Sequence, residues 1–295
     1  MEKQLTELRL LASGAGNKAT ETGIPRVAMV QGEIPEHRLS AVYEPMINLI
    51  LTGSKSMTVG NKTWQYDPAT YFVMSVDLPA VGKVCADEKT GAPYLAVSLT
   101  PKPEIITELL DGIPAASKMH LYQAGFSVAP VTPELLDAWL RMLRLINKPE
   151  EISALAPAYE REILFRVLQG PLGWMLRNIA MPESHLSRIY RVINWLKLNY
   201  MQAVRVEELA AMAALSVSAF HRHFQAITAL SPMQYQKRVR LMQARLRLAT
   251  TGDSITAIAH SVGYHSHTQF SREYARHFGL SPSSDLKNIL SNKNA

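Results

Sequence analysis

The stretch Ile258-Ala259-His260-Ser261-Val262-Gly263-Tyr264-His265-Ser266-His267-Thr268-Gln269-Phe270-Ser271-Arg272-Glu273-Tyr274-Ala275-Arg276-His277-Phe278-Gly279-Leu280-Ser281-Pro282 carries two helical patterns joined by a turn. Ser254 caps the first, whose Ile255, Ile258, Ala259 and Val262 fall at helical spacing. Gly263 supplies the turn, because a glycine backbone adopts positive φ at little cost. Ser266 caps the second, where Phe270, Tyr274 and Phe278 recur at i, i+4 and i+8 and face a core. The opposite face presents His267, Thr268, Gln269, Arg272 and Arg276. Gly279 ends the helix and Pro282 follows it.

The same unit occurs earlier in the chain. Ser216, Phe220, Arg222, Phe224 and Leu230-Ser231-Pro232 return fifty residues later as Ser266, Phe270, Arg272, Tyr274 and Leu280-Ser281-Pro282. Leu209 and Ala213 return as Ile258 and Val262 at an offset of forty-nine, so the second turn is one residue longer. In the first copy Val206, Leu209, Ala210 and Ala213 point inward, and Ser216 or Ser218 caps the next helix. Phe220 and Phe224 pack inward, whereas Ser218, His221, Arg222 and Gln225 point out. A short helix, a tight turn and a donor-rich second helix make the helix-turn-helix design, whose second helix enters the DNA major groove. A pair of ordinary helical hairpins would explain one copy. It does not explain the same basic slot filled twice.

At these positions the C-terminal part resembles the DNA-binding domain of AraC/XylS-type bacterial transcription regulators. The run from Ile258-Ala259 through Val262-Gly263-Tyr264, Ser266, Phe270-Ser271-Arg272, Tyr274 and Phe278-Gly279 to Ser281-Pro282 follows that family's signature, and the resemblance extends from near Ser184 to Leu290. Ala229 stands where the family often has glycine. The resemblance implies base-reading roles for Ser218, His221 and Arg222 in the first helix, with Gln225 on the same outward face. It implies the same for His267, Thr268, Gln269 and Arg272 in the second. Arg238, Arg240 and Arg276 are the candidates for phosphate contact.

Charge agrees with this division. Of the 295 residues, those from Pro182 onward hold 14 Lys and Arg against 6 Asp and Glu, a net of +8, whereas the rest sum to −2. A basic part beside a faintly acidic part suits a DNA-binding domain fused to a domain with another task. The single cysteine, Cys85, permits no disulfide within the chain and points to a reducing compartment. No apolar run reaches membrane-spanning length, and the Met1-Glu2-Lys3-Gln4-Leu5 start lacks a signal-peptide core. These features place the chain in the bacterial cytoplasm.

The N-terminal part follows a different period. After a short helix over Glu2–Leu11 and a loop from Ala12 to Thr22, strands are predicted at Val27–Gln31, Ile47–Thr52, Ser56–Val59, Lys62–Tyr66, Tyr71–Ser75, Val81–Ala86 and Tyr94–Leu99. Gly60-Asn61 is a two-residue hairpin turn. Strands without intervening helices argue a sandwich or jelly-roll barrel. The runs Val42-Tyr43-Glu44-Pro45 and Tyr66-Asp67 to Tyr71 resemble the cupin-like arm of one AraC-type subgroup. Helices are then predicted at Glu104–Leu110, Thr132–Ile146, Glu150–Ala154, Tyr159–Leu168 and Leu172–Ile179. The first DNA-domain helix spans Ser184–Asn199, and a helix of about 16 residues from Pro232 to Leu248 joins the two units. The expected architecture is α+β. A cupin-like jelly-roll arm covers residues 1–130, a helical connector 131–181, and an all-α domain with two helix-turn-helix units 182–295.

Enzymatic chemistry finds little support. A metal cupin needs clustered histidines and a carboxylate, and the N-terminal part offers only His37 and His120, far apart in sequence. Cys85 between Val84 and Ala86 reads as a buried strand thiol. Asp137, Glu160 and Glu162 read as solvated helix carboxylates. The seven C-terminal histidines are donors and packing groups, with His223 and His277 each preceding a core Phe. No cofactor, catalytic residue or metal ligand is implied. Tyr43, Met46, Trp64, Tyr71 and Met74 are candidates to line an effector pocket, against the plainer reading as core. The apolar residues of Thr132–Ile146, among them Leu136, Leu140 and Leu143, exceed one face, which a partner subunit would explain. The reading is therefore a sequence-specific transcription regulator whose arm senses a small molecule, dimerises, or both. Its partners are double-stranded DNA, a small-molecule effector, a second copy of the chain and RNA polymerase. A barrel enzyme fused to a DNA-binding domain is the alternative.

Overall fold

The computed structural model describes residues 1–16, 20–32, 40–113, 125–180 and 185–291. His37, His120 and the domain-boundary residue Pro182 lie outside them. The N-terminal part is two antiparallel sheets. β1 (Thr20–Glu21), β2 (Val27–Gln31), β4 (Met46–Thr52), β7 (Thr70–Met74), β9 (Leu95–Leu99) and β10 (Phe126–Pro130) form one, in the order β1-β2-β9-β4-β7-β10. β3 (Ser40–Tyr43), β5 (Ser54–Val59), β6 (Lys62–Tyr66) and β8 (Leu78–Cys85) form the other, in the order β3-β8-β5-β6. The predicted hairpin is present: Val59 pairs with Lys62 across Gly60-Asn61, and Gly60 has φ +65°. Three strands escaped the sequence pattern, β1, β3 and β10. β1 has only two residues, and β3 and β10 do not alternate cleanly between buried and exposed, so their periodicity was weak.

The six-stranded sheet is covered on both faces. Ile47, Leu49, Leu51, Val73, Val97 and Leu99 point to a helical layer. Ile50, Phe72, Met74, Ala96 and Phe126 point the other way, into the space between the sheets. The helical layer comprises α1 (Glu2–Leu11), α2 (Pro103–Leu110), α3 (Pro133–Arg144), α4 (Ile152–Gln169) and α5 (Gly173–Ala180). Thr132 caps α3 by accepting from Leu135 N, with Pro133 at the first helical position. α4 is one helix through Pro157, where the sequence suggested two.

Four expectations need correction. Leu135, Leu136, Trp139, Leu140, Leu143 and Leu145 are all buried within one chain, between the sheet, α1 and α4, so α3 leaves no apolar remainder for a partner. Its wide apolar surface is buried because α1 and α4 both pack against it. Glu160 is buried rather than solvated, and is ion-paired with Arg26. Glu162 and Asp137 both pair with Arg141. Cys85 is exposed, because it ends β8 on the outward phase of the strand. Tyr71 faces the helical layer and so cannot line the sandwich interior, whereas Met74 sits in that interior and Tyr43, Met46 and Trp64 pack against it.

Candidate nucleic-acid interface

The C-terminal domain begins with α6 (His185–Leu198) and holds the two repeated units. In the first, α7 (Val206–Met212) leads through a turn to α8 (Val217–Thr228). Ser216 is the cap, its Oγ accepting from Ala219 N at 3.3 Å. In the second, α10 (Ile255–Ser261) leads to α11 (His267–Phe278), and Ser266 Oγ accepts from Gln269 N at 3.3 Å. Four residues separate the first pair of helices and five the second, as the offset required. Gly263 holds φ +89°, and a Cβ there would sit 2.5 Å from the Met201 carbonyl oxygen, so turn and close approach both demand glycine. α9 (Pro232–Thr250), opened by a reciprocal Ser231/Gln234 capping box, joins the units. Its 19 residues span roughly 28 Å.

Burial sorts each second helix as the spacing predicts. Phe220, Phe224, Phe270 and Tyr274 are fully buried. On the opposite faces Ser218, Arg222 and Gln225 of α8 are exposed and His221 is half-buried. His267, Thr268, Gln269, Arg272 and Arg276 of α11 are exposed. Arg272 and Arg222 therefore occupy matching outward slots. The Gln269 amide donates to Glu273 Oε1 at 3.4 Å, and Glu273 also accepts from the Tyr264 hydroxyl at 2.8 Å.

Two of the candidate phosphate contacts, Arg240 and Arg238, have carbonyl partners within the chain. Arg240 is a staple: Nε donates to the Tyr200 carbonyl at 2.6 Å, Nη1 to Gly263 at 3.1 Å, and Nη2 to Met201 and Gln202 at 3.3 and 3.0 Å. It fixes the turn of the second unit to the loop after α6. Arg238 reaches the arm, donating to the Gly60 carbonyl at 3.3 Å. A charge count cannot tell such arginines from phosphate binders, because both serve acceptor oxygens. The buried Arg245–Asp285 pair was also missed. Arg245 Nε and Nη2 donate to the Asp285 carboxylate at 2.8 and 3.1 Å, and the Tyr274 hydroxyl adds a third bond at 2.7 Å. Asp285 sits in α12 (Pro282–Ser291), so this network ties the last helix to α9 and α11. His223 and His277 are packing histidines. Burial, then the charges of Arg238 and Arg245, push the His277 pKa down to about 4.

The first unit is joined to the arm. One apolar core runs from the sandwich interior (Phe72, Met74, Val76, Phe126) into Ile189, Ile193, Phe220, Phe224, Ile227 and Tyr235. Gly125 N donates to the Ile227 carbonyl at 2.7 Å, Tyr190 to Ser75 Oγ at 3.1 Å and Tyr235 to the Asp77 carbonyl at 2.9 Å. Lys197 bridges Glu44 and Asp77 at 2.7 and 2.6 Å.

Against known proteins, residues 23–175 match the family model described as the AraC-type transcriptional regulator N-terminus. That match covers more than half of the chain. The chain belongs to the AraC-type transcriptional regulators. Residues 209–288 match a helix-turn-helix domain model, in agreement with both repeated units. Both matches are to regulator and DNA-binding models, and neither is to an enzyme. Among curated relatives, the transcriptional activator RhaS of Escherichia fergusonii is 36% identical over 144 residues, 47% of this chain and 51% of that protein. RhaS of Yersinia pestis bv. Antiqua is 38% identical over 117 residues, 40% of this chain and 42% of that one. The match thus spans about half the length of these relatives. An apo ToxT variant from Vibrio cholerae aligns over 88% of this chain and 97% of its own, with TM-score 0.57 and 10% identity. ToxT with a bound unsaturated fatty acid aligns with TM-score 0.54 and 11% identity, over 88% and 94%. At these identities the likeness is one of fold.

Among the described residues no group of three or more His, Cys, Asp or Glu is placed to hold a metal, and no helix is long and apolar enough to cross a membrane.

Proposed function

We propose that this regulator acts in the bacterial cytoplasm and reads a bipartite DNA site through both second helices. Ser218, His221, Arg222 and Gln225 of α8 contact one segment, and His267, Thr268, Gln269 and Arg272 of α11 the other. Arg276, exposed near the end of α11, contacts phosphate. The observation that carries this reading is the outward pairing of Arg222 and Arg272 behind matching buried aromatics. Arginine suits the O6 and N7 acceptors of guanine. The N-terminal domain senses a small molecule and passes the signal through the core it shares with the first unit. The fatty-acid complex of ToxT supports an effector role for such a domain. A second copy of the chain and RNA polymerase complete the assembly at a promoter, the second copy meeting this one on a surface other than α3.

The test is selection of binding sites from a random DNA library by the purified full-length chain. Two recognised segments centred about 10 base pairs apart, one turn of the duplex, are expected. A single recognised segment would refute the two-helix reading.

A further inference from the structure

The sandwich interior holds a polar cluster that packing alone does not explain. Along β5, Lys55, Met57 and Val59 are buried and alternate with half-buried residues, so Lys55 points inward with the apolar side chains. Lys55 is only 7% exposed, and no carboxylate pairs with it among the described residues. Its ammonium lies 5.0 Å from the ring centre of Tyr43. Tyr66 is its direct partner across β6. Tyr94 is brought alongside by the turn at Gly53, whose φ of +70° and approach to Cys85 and Tyr94 exclude a side chain. The Tyr66 and Tyr94 hydroxyls are buried and have no hydrogen-bond partner. Burial alone pulls the Lys55 pKa down to about 8.

Two phenols without partners lie beside a buried ammonium whose recorded contact is the Tyr43 ring, and leaving such groups without acceptors in an apolar interior is costly. We infer that Lys55, Tyr66 and Tyr94 form the headgroup site for a small organic monocarboxylate, the effector that the proposed sensing role requires. One buried positive charge calls for one negative charge, which a carboxylate carries and a doubly ionised phosphate exceeds. The surroundings suit an apolar body, since Trp64, Phe72 and Phe126 pack edge-on or tilted at 5.0 to 5.1 Å next to Tyr66. The inference rests on the arm being a sensor, and its failure is separable from failure of that reading.

The experiment measures binding of benzoate, decanoate, decanol and inorganic phosphate to the full-length chain by calorimetry, alongside affinity for its selected DNA site. At least one carboxylate is expected to bind and to change DNA affinity, with decanol and phosphate inert. Lys55→Met removes a buried unpaired charge and so stays folded. It is expected to weaken carboxylate binding about 10- to 150-fold, the range for a charge-assisted hydrogen bond. Tyr66→Phe is expected to weaken it about 2- to 10-fold. Equal carboxylate binding by wild type and Lys55→Met overturns the inference. So does a DNA response to decanol but not to either acid, although sensing by the arm would then stand. Absence of binding by all four compounds, with DNA affinity unmoved, overturns both.

Discussion

The two helix-turn-helix units are copies in sequence and unequal in their surroundings. The first has no core of its own: Phe220, Phe224, Ile227 and Tyr235 complete a core that begins between the two sheets. The second packs on itself, with Phe270, Tyr274, Ile258 and Val262 closing on Leu241, Ala244 and Leu248 at the far end of α9. Charged contacts follow the same division. Lys197, Tyr235 and Arg238 tie the helices flanking the first unit to the arm, whereas the Arg245–Asp285–Tyr274 network holds the second unit to α9 and Arg240 ties its turn to the loop after α6. Arg245 also reaches out of that network to the arm, donating to Ser40 Oγ at 3.2 Å. The arm thus meets the first unit through a shared apolar core and the second through α9 and Arg245. Regulation of DNA binding through the arm should fall mainly on the segment read by the first unit.

The largest expected break in this comparison is Asp285→Ala. It leaves the Arg245 guanidinium buried without its carboxylate, a loss of about 3–5 kcal/mol. Hydrogen exchange should show the loss concentrated in α9 to α12, with the sandwich protected as before. Equal loss in the sandwich would refute the separate core of the second unit.

Acid should act on the same unit. His277 has its pKa held near 4 against an ordinary value of 6.5, so the unfolded chain binds its proton first. The stabilising contribution is present above pH 6.5 and is lost as pH falls through 4, to about 3 kcal/mol at most. Replacing His277 with Gln should flatten this part of the pH–stability curve, and an unchanged curve would refute the assignment.

The DNA contacts sharpen the comparison. Arg272→Ala is expected to weaken specific binding about 5- to 150-fold and relax preference at one or two base pairs. Arg222→Ala should do the same about 10 base pairs away. Binding to an operator library at two salt concentrations distinguishes base reading from phosphate contact. If either variant only flattens the salt dependence, its arginine is a phosphate contact.

The smallest effect concerns the helix exits. Gly279 and Ala229 both take left-handed backbone, φ +77° and +56°. Gly279 suffers no penalty there, whereas Ala229 does. Ala229→Gly should stabilise by about 0.5–1 kcal/mol in thermal unfolding, and Gly279→Ala should destabilise by a similar amount. A Cβ on Gly60 would approach the Ala229 carbonyl to 2.5 Å, so Gly60→Ala offers a second way to disturb this exit, from the arm side.

The repeat made the C-terminal units legible. Ser216 and Ser266 cap, Phe220 and Phe270 are buried, and Arg222 and Arg272 point out, because capping and helical periodicity are local properties that a sequence states directly. The hairpin at Gly60-Asn61 was legible for the same reason. What only the tertiary structure decided are contacts between residues far apart in the chain. Leucines of α3 that suggested a partner subunit are covered by the chain's own helices. Glu160 is buried because Arg26, 134 residues away, meets it. Arg238 and Arg240 serve carbonyls of Gly60 and Tyr200 where composition suggested phosphates. Lys55 became notable only when its strand turned it into the interior beside the Tyr43 ring. A side chain's charge and period are written in the sequence, but the partner that neutralises or buries it is chosen by which elements the fold brings together.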